Sequence, residues 1–475
     1  MSETMNKDYD EQPLDHDGHA ACVLIKYPDM YRHTGERGWL VYRNGYWQTK
    51  GAEASVTRAI KNVLREREQQ IIKDPSIENE KARSSMRRMC KANNGTVIGV
   101  RAMIKSFEDC ECSILDFDNN PKLINCKNGV VNLETGKLAA HSALLMFTYR
   151  LNVDYEKGAK NETWDTFLAT IGMDDDTLNY LRILSGYCLT GLTREELMFY
   201  LYGETRTGKG TFTNALLGVL GLYGMGINFR TFTVRRDGDT QNFDLAILSQ
   251  KRFLSASESK RHERINASVF KQVTGGDPIF AAYKGKDGFS FIPQWKIMLS
   301  SNYPLNADPM DSAVWARVRV LKFGKSNLGK EDKTLKAKLD TDGAKEAILA
   351  WAVSGAVEWF SDGLNTPANV TENTHKMRLE VSSVLIFIDQ CCTLGIDKTS
   401  DGKALYSAYI EWAIGEGYHK PYGRMSFTQA LERLGCKSAV RKVSGKSTRY
   451  YTNIKFLGDA AGDLSISNRI ELDVF

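Results

Sequence analysis

The stretch Gly203-Glu204-Thr205-Arg206-Thr207-Gly208-Lys209-Gly210-Thr211 constrains this 475-residue chain more than any other. An apolar run of strand length, Leu197 to Tyr202, leads into it. Phe212 to Leu217, apolar at helical spacing, leads out. Strand, glycine loop and helix form the setting of a phosphate-binding loop. Gly203 and Gly208 permit the turns that aim consecutive N–H groups at one point, and the helix N-terminus adds partial positive charge there. Lys209 is placed to meet β- and γ-phosphates as a point charge. One position departs from the usual pattern. Ser or Thr ordinarily follows the lysine and ligates magnesium, but here Gly210 follows and Thr211 comes next. Either Thr211 takes the metal side, directly or through water, or the hydroxyl is missing from the metal's ligands.

The chain is too long for one ordinary core, so two to four domains are expected. Hydrophobic content of 42% and charged content of 25% are those of a soluble globular protein, and the net charge of +5 is compatible with nucleic-acid contact. No apolar run approaches ~18 residues, so no membrane span is expected. Residues 1–20 are acidic and aperiodic, which reads as a disordered tail and not as a secretory signal. The cytoplasm of a host cell is the expected compartment. Nine scattered cysteines argue against a disulfide framework, and no paired C-x-x-C suggests zinc.

From Leu197 to Phe323 apolar strands alternate with helices, which implies a parallel sheet with its ligand at the carboxyl ends of the strands. The second strand is read as Arg252 to Ser257, ending in Glu258, a carboxylate able to orient magnesium-bound water or polarise an attacking water. The next, Trp295 to Ser301, ends in Asn302, whose amide suits holding water against a γ-phosphate. Between them two short strands flank Tyr283-Lys284-Gly285-Lys286-Asp287-Gly288. This reads as a projecting hairpin with Lys284 and Lys286 at its tip, suited to nucleic-acid phosphates. Arg317 falls where a helix meets a strand and is placed to reach a neighbouring subunit's γ-phosphate. Arg319, alternating with Val318 and Val320, is the second choice.

Upstream, residues 21–195 read as an α+β and helical domain. It holds a hairpin turning at Arg43-Asn44-Gly45 and two basic helices, Ser55 to Ile72 and Asn79 to Lys91. Lys61, Arg65, Arg67, Arg83, Arg87, Arg88 and Lys91 are read there as a solvated face, with nucleic-acid contact as the alternative. Residues 196–365 form the nucleotide core, and a polar break around Pro367 follows. Residues 380–475 read as three helices and then a basic hairpin, the order of a winged helix. Arg441, Lys442, Lys446 and Arg449 are its candidate DNA contacts.

The phosphate loop, the Glu258 strand, the Lys271…Thr274-Gly275-Gly276-Asp277 block, the Asn302 strand and Trp315-Ala316-Arg317 resemble superfamily 3 helicases in order and spacing. The likeness is to the phage and plasmid primase–helicase, or poxvirus-like, branch. Asn128 to Leu133 and Gly186 to Gly191 resemble the domain that precedes that core. The resemblance implies an α/β fold with a P-loop AAA+-type parallel sheet, flanked by the upstream domain and a winged-helix-like tail. It implies an ATP- and Mg2+-dependent DNA helicase that forms a ring, as a hexamer, and moves 3′ to 5′ on single-stranded and forked DNA during phage or mobile-element replication. Lys209 and Thr211 would serve ATP and magnesium, Glu258 catalysis, Asn302 sensing and Arg317 the neighbour's site, with Lys284 and Lys286 lining the channel. Three positions depart from the family: Gly210, Lys260 in place of a second acid, and Ala316 in place of a first arginine. About a hundred residues precede the shared region, so primer synthesis is expected of a separate primase or polymerase. Two other readings use the same loop. One is an ATP-switched, origin-binding initiator without processive unwinding. The other is a small nucleotide kinase, against which the lack of an arginine-rich lid counts.

Overall fold

The computed structural model describes residues 8–229, 243–257, 265–282, 288–324, 326–329, 331–418, 421–443 and 446–458. The amino-terminal layer begins with α1 (His16–Lys26), β1 (Tyr31–Thr34), β2 (Gly38–Arg43) and β3 (Tyr46–Gln48). It continues with α2 (Ala52–Lys73), α3 (Glu80–Met89) and α4 (Asn94–Ile104). Residues 8–20 are ordered, contrary to the expected tail. Tyr9 is buried, and the Asp15 carboxylate accepts the Gly18 N–H at 2.8 Å to start α1. Arg67 does not lie on a solvated face. It is buried on α2, donates to the carbonyls of Gln12 and Pro13, and contacts His19 Nδ1 at 2.8 Å. Carbonyls folded away from water need a donor, and the arginine supplies it. The acidic stretch concealed this because its partner lies some fifty residues away.

β4 (Leu123–Cys126), β5 (Gly129–Asn132) and β6 (Lys137–Ala139) form a small antiparallel sheet, followed by α5 (Glu162–Thr170) and α6 (Asp175–Leu189). The central core then runs β7 (Met198–Tyr202), α7 (Lys209–Leu220), β8 (Gly224–Asn228), α8 (Phe243–Ala246) and β9 (Phe253–Ser257). It continues with α9 (Ala267–Thr274), β10 (Ile279–Ala282), β11 (Gly288–Phe291), β12 (Lys296–Ser301), α10 (Ser312–Ala316) and β13 (Val318–Lys322). β10 and β11 pair as a separate antiparallel hairpin. The other five strands are parallel, in the order β13-β7-β12-β9-β8.

Alternate residues of each strand enter opposite faces. Phe199, Leu201, Phe253, Met298 and Leu321 join one cluster with Phe212 and Leu216. Met198, Tyr200, Leu254, Ile297, Leu299, Val318 and Val320 join the other with Phe270, Trp295 and Trp315. A sheet covered on both faces needs strands that are apolar throughout, which is why these read so clearly. β8 is the exception. It is an edge strand holding Gly224 and Gly226, so it carries little apolar signal, and the Arg252–Ser257 segment is the third strand of the core instead of the second.

α11 (Leu335–Leu339) and α12 (Asp342–Asp362) follow. α12 crosses α6 at backbone contact: a Cβ on Gly186 would lie 2.0 Å from Ala356 N, and one on Gly355 2.1 Å from Arg182 O. Only glycine permits this approach, and it joins the upstream domain to the core. After α13 (Ala368–Glu380) the tail consists of α14 (Ser383–Cys391), β14 (Cys392–Asp401), α15 (Gly402–Gly415), α16 (Arg424–Arg433), β15 (Ser438–Val443) and β16 (Lys446–Phe456). Its sheet order is β14-β16-β15. β14 was not expected, because its charged residues and Gly395 break any alternation; it begins at Cys392, directly after the last residue of α14. Among the described residues no helix is long and apolar enough to cross a membrane.

Candidate functional site

The buried strand β7 delivers its last residue to a glycine for a steric reason: a Cβ on Gly203 would sit 2.5 Å from the Phe323 carbonyl oxygen at the end of β13. The loop closes on Gly208, at φ 95°, and α7 begins at Lys209. Inside the loop the Thr207 hydroxyl donates to the Glu204 carbonyl at 3.0 Å. Lys209 is 7% exposed and turns back into the same hollow. Its Nζ donates to Gly203 O and Glu204 O, both at 2.7 Å, and to Thr207 Oγ1 at 3.2 Å. Among the described residues no carboxylate pairs with it, and burial lowers its pKa to about 8. A cation seated on neutral carbonyls, beside the N-terminus of a twelve-residue helix, makes a hollow whose chemistry matches an anion.

Three strand ends meet at this loop. Ser301 of β12 is in register with Tyr202, and Ser300 with Ser257 of β9. Asn302, just past β12, donates its side-chain N–H to Thr205 Oγ1 at 3.0 Å, so the sheet brings it onto the loop. The Ser326 hydroxyl donates to Thr205 O at 2.7 Å, and Arg206 pairs with Glu331 at 3.5 Å, which ties down the loop's outer rim. Glu258 follows β9 directly but lies outside the described residues, as do Lys260, Lys284 and Lys286.

Thr211 lies on the first turn of α7. It lines a cavity of about 350 Å³ with Asn214, Ala215 and Gly218 of α7 and Lys336, Leu339 and Asp340. Gly210 is exposed, and a Cβ there would meet nothing within 4 Å, so a hydroxyl side chain has room. The described residues hold no group of three or more His, Cys, Asp or Glu side chains placed for a metal. The hydroxyls of Thr205, Thr207 and Thr211 are the oxygen donors the loop could offer a hard cation.

Arg317 lies at the opposite end of the sheet. Its carbonyl accepts the Met198 N–H at 2.7 Å, at the entry of β7. Five strand residues, about 17 Å, separate it from its own loop. Its Nη2 pairs with Glu196 at 2.8 Å and its Nη1 donates to Ala313 O at 3.1 Å. Arg319 is half-buried and donates to Ala316 O and Val318 O, both at 2.9 Å.

Two cations at this end were not foreseen. Lys296 Nζ, fully enclosed, donates to Thr190 O, to Gln294 O at 2.9 Å and to Leu192 O at 3.2 Å. Arg252 donates to Leu123 O at 2.7 Å, Leu189 O at 2.8 Å and Asn120 O at 3.0 Å. Together they satisfy the carbonyl end of α6, where the helix dipole favours positive charge. A signal was present: each opens an otherwise apolar strand segment. In the tail, Arg449 is exposed on β16. Arg441, Lys442 and Lys446 lie on the β15–β16 hairpin, with side chains outside the described ones. Arg433 of α16 pairs with Asp308 of the core at 3.0 Å.

Strand order, loop and strand-end residues define a P-loop protein with an AAA+-type core. Residues 22–171 match the family described as "D5 N terminal like", and residues 201–317 match a family of unknown function, DUF5906. A candidate helicase of Acanthamoeba polyphaga mimivirus is 26% identical over 321 residues, 62% of this chain and 33% of that one. A candidate helicase of Frog virus 3 is 23% identical over 58% of this chain and 30% of its own. A candidate primase of African swine fever virus is 26% identical over 43% and 22%. The chain thus spans about a third or less of the length of these curated relatives. The apo structure of the NrS-1 C-terminal region shares the fold, with a TM-score of 0.51 and 11% identity over 94% of this chain and 100% of that one. The chain is thus similar to D5-like primase–helicase proteins over its amino-terminal domain and its core.

Proposed function

We propose that this chain is an ATP-driven DNA helicase. It works as a ring of identical copies, as a hexamer, and moves 3′ to 5′ on single-stranded DNA to replicate a viral or mobile genome. The observation that carries this reading is the division of the sheet. Lys209 and the Asn302–Thr205 contact occupy one end, and Arg317 the other. An arginine about 17 Å from its own loop is out of reach of that loop's phosphates, and in this reading it serves a neighbour's.

In this reading the triphosphate takes Lys209 from the carbonyls of Gly203 and Glu204. Asn302 holds the attacking water at the loop's edge, and Glu258 polarises it. The neighbouring copy's Arg317 meets the charge that develops on the γ-phosphate. Magnesium enters with the nucleotide, neutralises phosphate charge, and has Thr211 and Glu258 as its protein-side candidates. Lys284 and Lys286 contact the DNA strand, and Arg441, Lys442, Lys446 and Arg449 contact duplex at the fork. A separate primase or polymerase completes replication.

The test is strand separation on forked DNA with ATP, with Lys209→Ala as the inactive control. The winged-helix order of the tail favours one further reading, an ATP-switched initiator that binds origin duplex. ATP-dependent duplex binding without strand separation would decide for it.

A further inference from the structure

We infer that Glu196 is the positioning residue for Arg317, setting where its guanidinium points when another copy docks. This rests on the reading above, in which Arg317 serves a neighbour's site. Among the described residues Glu196 is the charged partner of that guanidinium, at 2.8 Å, and the Arg317 Nε is enclosed without an acceptor. By count, the bonds to Glu196 and Ala313 leave one N–H on each terminal nitrogen for a phosphate. The pair is not sealed off: the two side chains retain 26% and 46% exposure.

The backbone is bent to make this contact. Glu196 sits at φ 52°, a left-handed conformation that glutamate rarely adopts, and its N–H closes a turn onto Thr193 O at 3.0 Å. The preceding Glu195 is committed elsewhere, accepting the Trp359 Nε1–H at 2.8 Å. The turn therefore sends adjacent carboxylates to different partners, one to the domain joint and one to the arginine. Arg317 is clamped twice at the entry of β7, by side chain to Glu196 and by carbonyl to Met198 N. The other end of the same strand opens into the phosphate loop. The arginine offered to one neighbour and the loop offered to the other are thus referenced to one five-residue strand.

Glu196→Gln removes the charge and keeps the size. With ATP and a single-stranded oligonucleotide, its turnover should fall about tenfold or more while the Kd for ATP stays within about twofold, and Glu196→Asp should recover much of the loss. Equimolar mixing assigns the defect. With Lys209→Ala chains, Glu196→Gln should regain activity, because one type supplies an intact loop and the other an intact Arg317. With Arg317→Ala chains it should stay inactive. Full turnover by Glu196→Gln, rescue by Arg317→Ala, or a loss confined to ATP affinity overturns the inference. If Glu196→Gln does not fold, Glu196→Ala, which also removes the carboxylate, carries the same mixing test. Lys209→Ala mixed with Arg317→Ala is the control. If that control gains no activity, the shared-site reading fails and the inference with it. If it does gain activity while Glu196→Gln is fully active, the inference alone falls.

Discussion

The two ends of the parallel sheet use cations in opposite ways. At the amino end, Lys296 and Arg252 are enclosed and spent on fixed carbonyls around the end of α6, and Arg317 is paired with Glu196. At the carboxyl end, Lys209 is also buried but rests on carbonyls of a short loop and pairs with no carboxylate among the described residues, and burial lowers its pKa to about 8. A buried charge with permanent acceptors is structure. A buried charge held only by a short loop is a receptor for an anion.

The sharpest test of that contrast is Lys209→Ala. It should cost about a thousandfold in ATP turnover while changing folding stability by under about 1 kcal/mol, because water can reach the freed loop carbonyls. Paired turnover and urea titrations check it; a large loss of stability would erase the distinction. Next is Arg252→Met, which strands three enclosed carbonyls and should destabilise by about 3 kcal/mol, seen as a lower denaturation midpoint. Loss of nucleotide affinity without loss of stability would break the comparison from the other side.

A smaller effect concerns pH. Burial lowers the Lys209 pKa to about 8, and a triphosphate stabilises its charged form. Nucleotide binding should therefore take up a proton above about pH 8, and affinity should fall by up to about tenfold per pH unit there. Calorimetry in two buffers of different ionisation enthalpy measures that uptake. For folding the sign is opposite: the unfolded lysine binds its proton more tightly, so this group's cost is full below about pH 8 and is relieved as pH rises towards the ordinary lysine range. The smallest effect is Gly210→Ser. With nothing within 4 Å of the added Cβ, the hydroxyl should tighten magnesium-dependent nucleotide binding a few-fold without disturbing the loop. Unchanged metal dependence would leave Thr211 as the hydroxyl that matters.

Gly203, Lys209 and the ends of β7, β9 and β12 were legible because local rules govern them: glycine turns, a lysine after the loop, and strands apolar on both faces. β8 and β14 were not legible, because edge strands with glycine or charge show no period. Arg67, Arg252 and Lys296 were read as surface or strand, because their carbonyl partners come from segments distant in sequence.

By itself the sequence determined that a phosphate loop would stand between a buried strand and a helix, with an amide and an arginine further along the same core. Those are consequences of backbone sterics and side-chain periodicity, which act over a few residues. The tertiary structure decided which end of the sheet each residue reached, that Asn302 touches Thr205, and that Arg317 leans on Glu196. Strand order and helix contact are settled by packing between segments a hundred residues apart, and no local pattern encodes which carbonyl a buried cation will find.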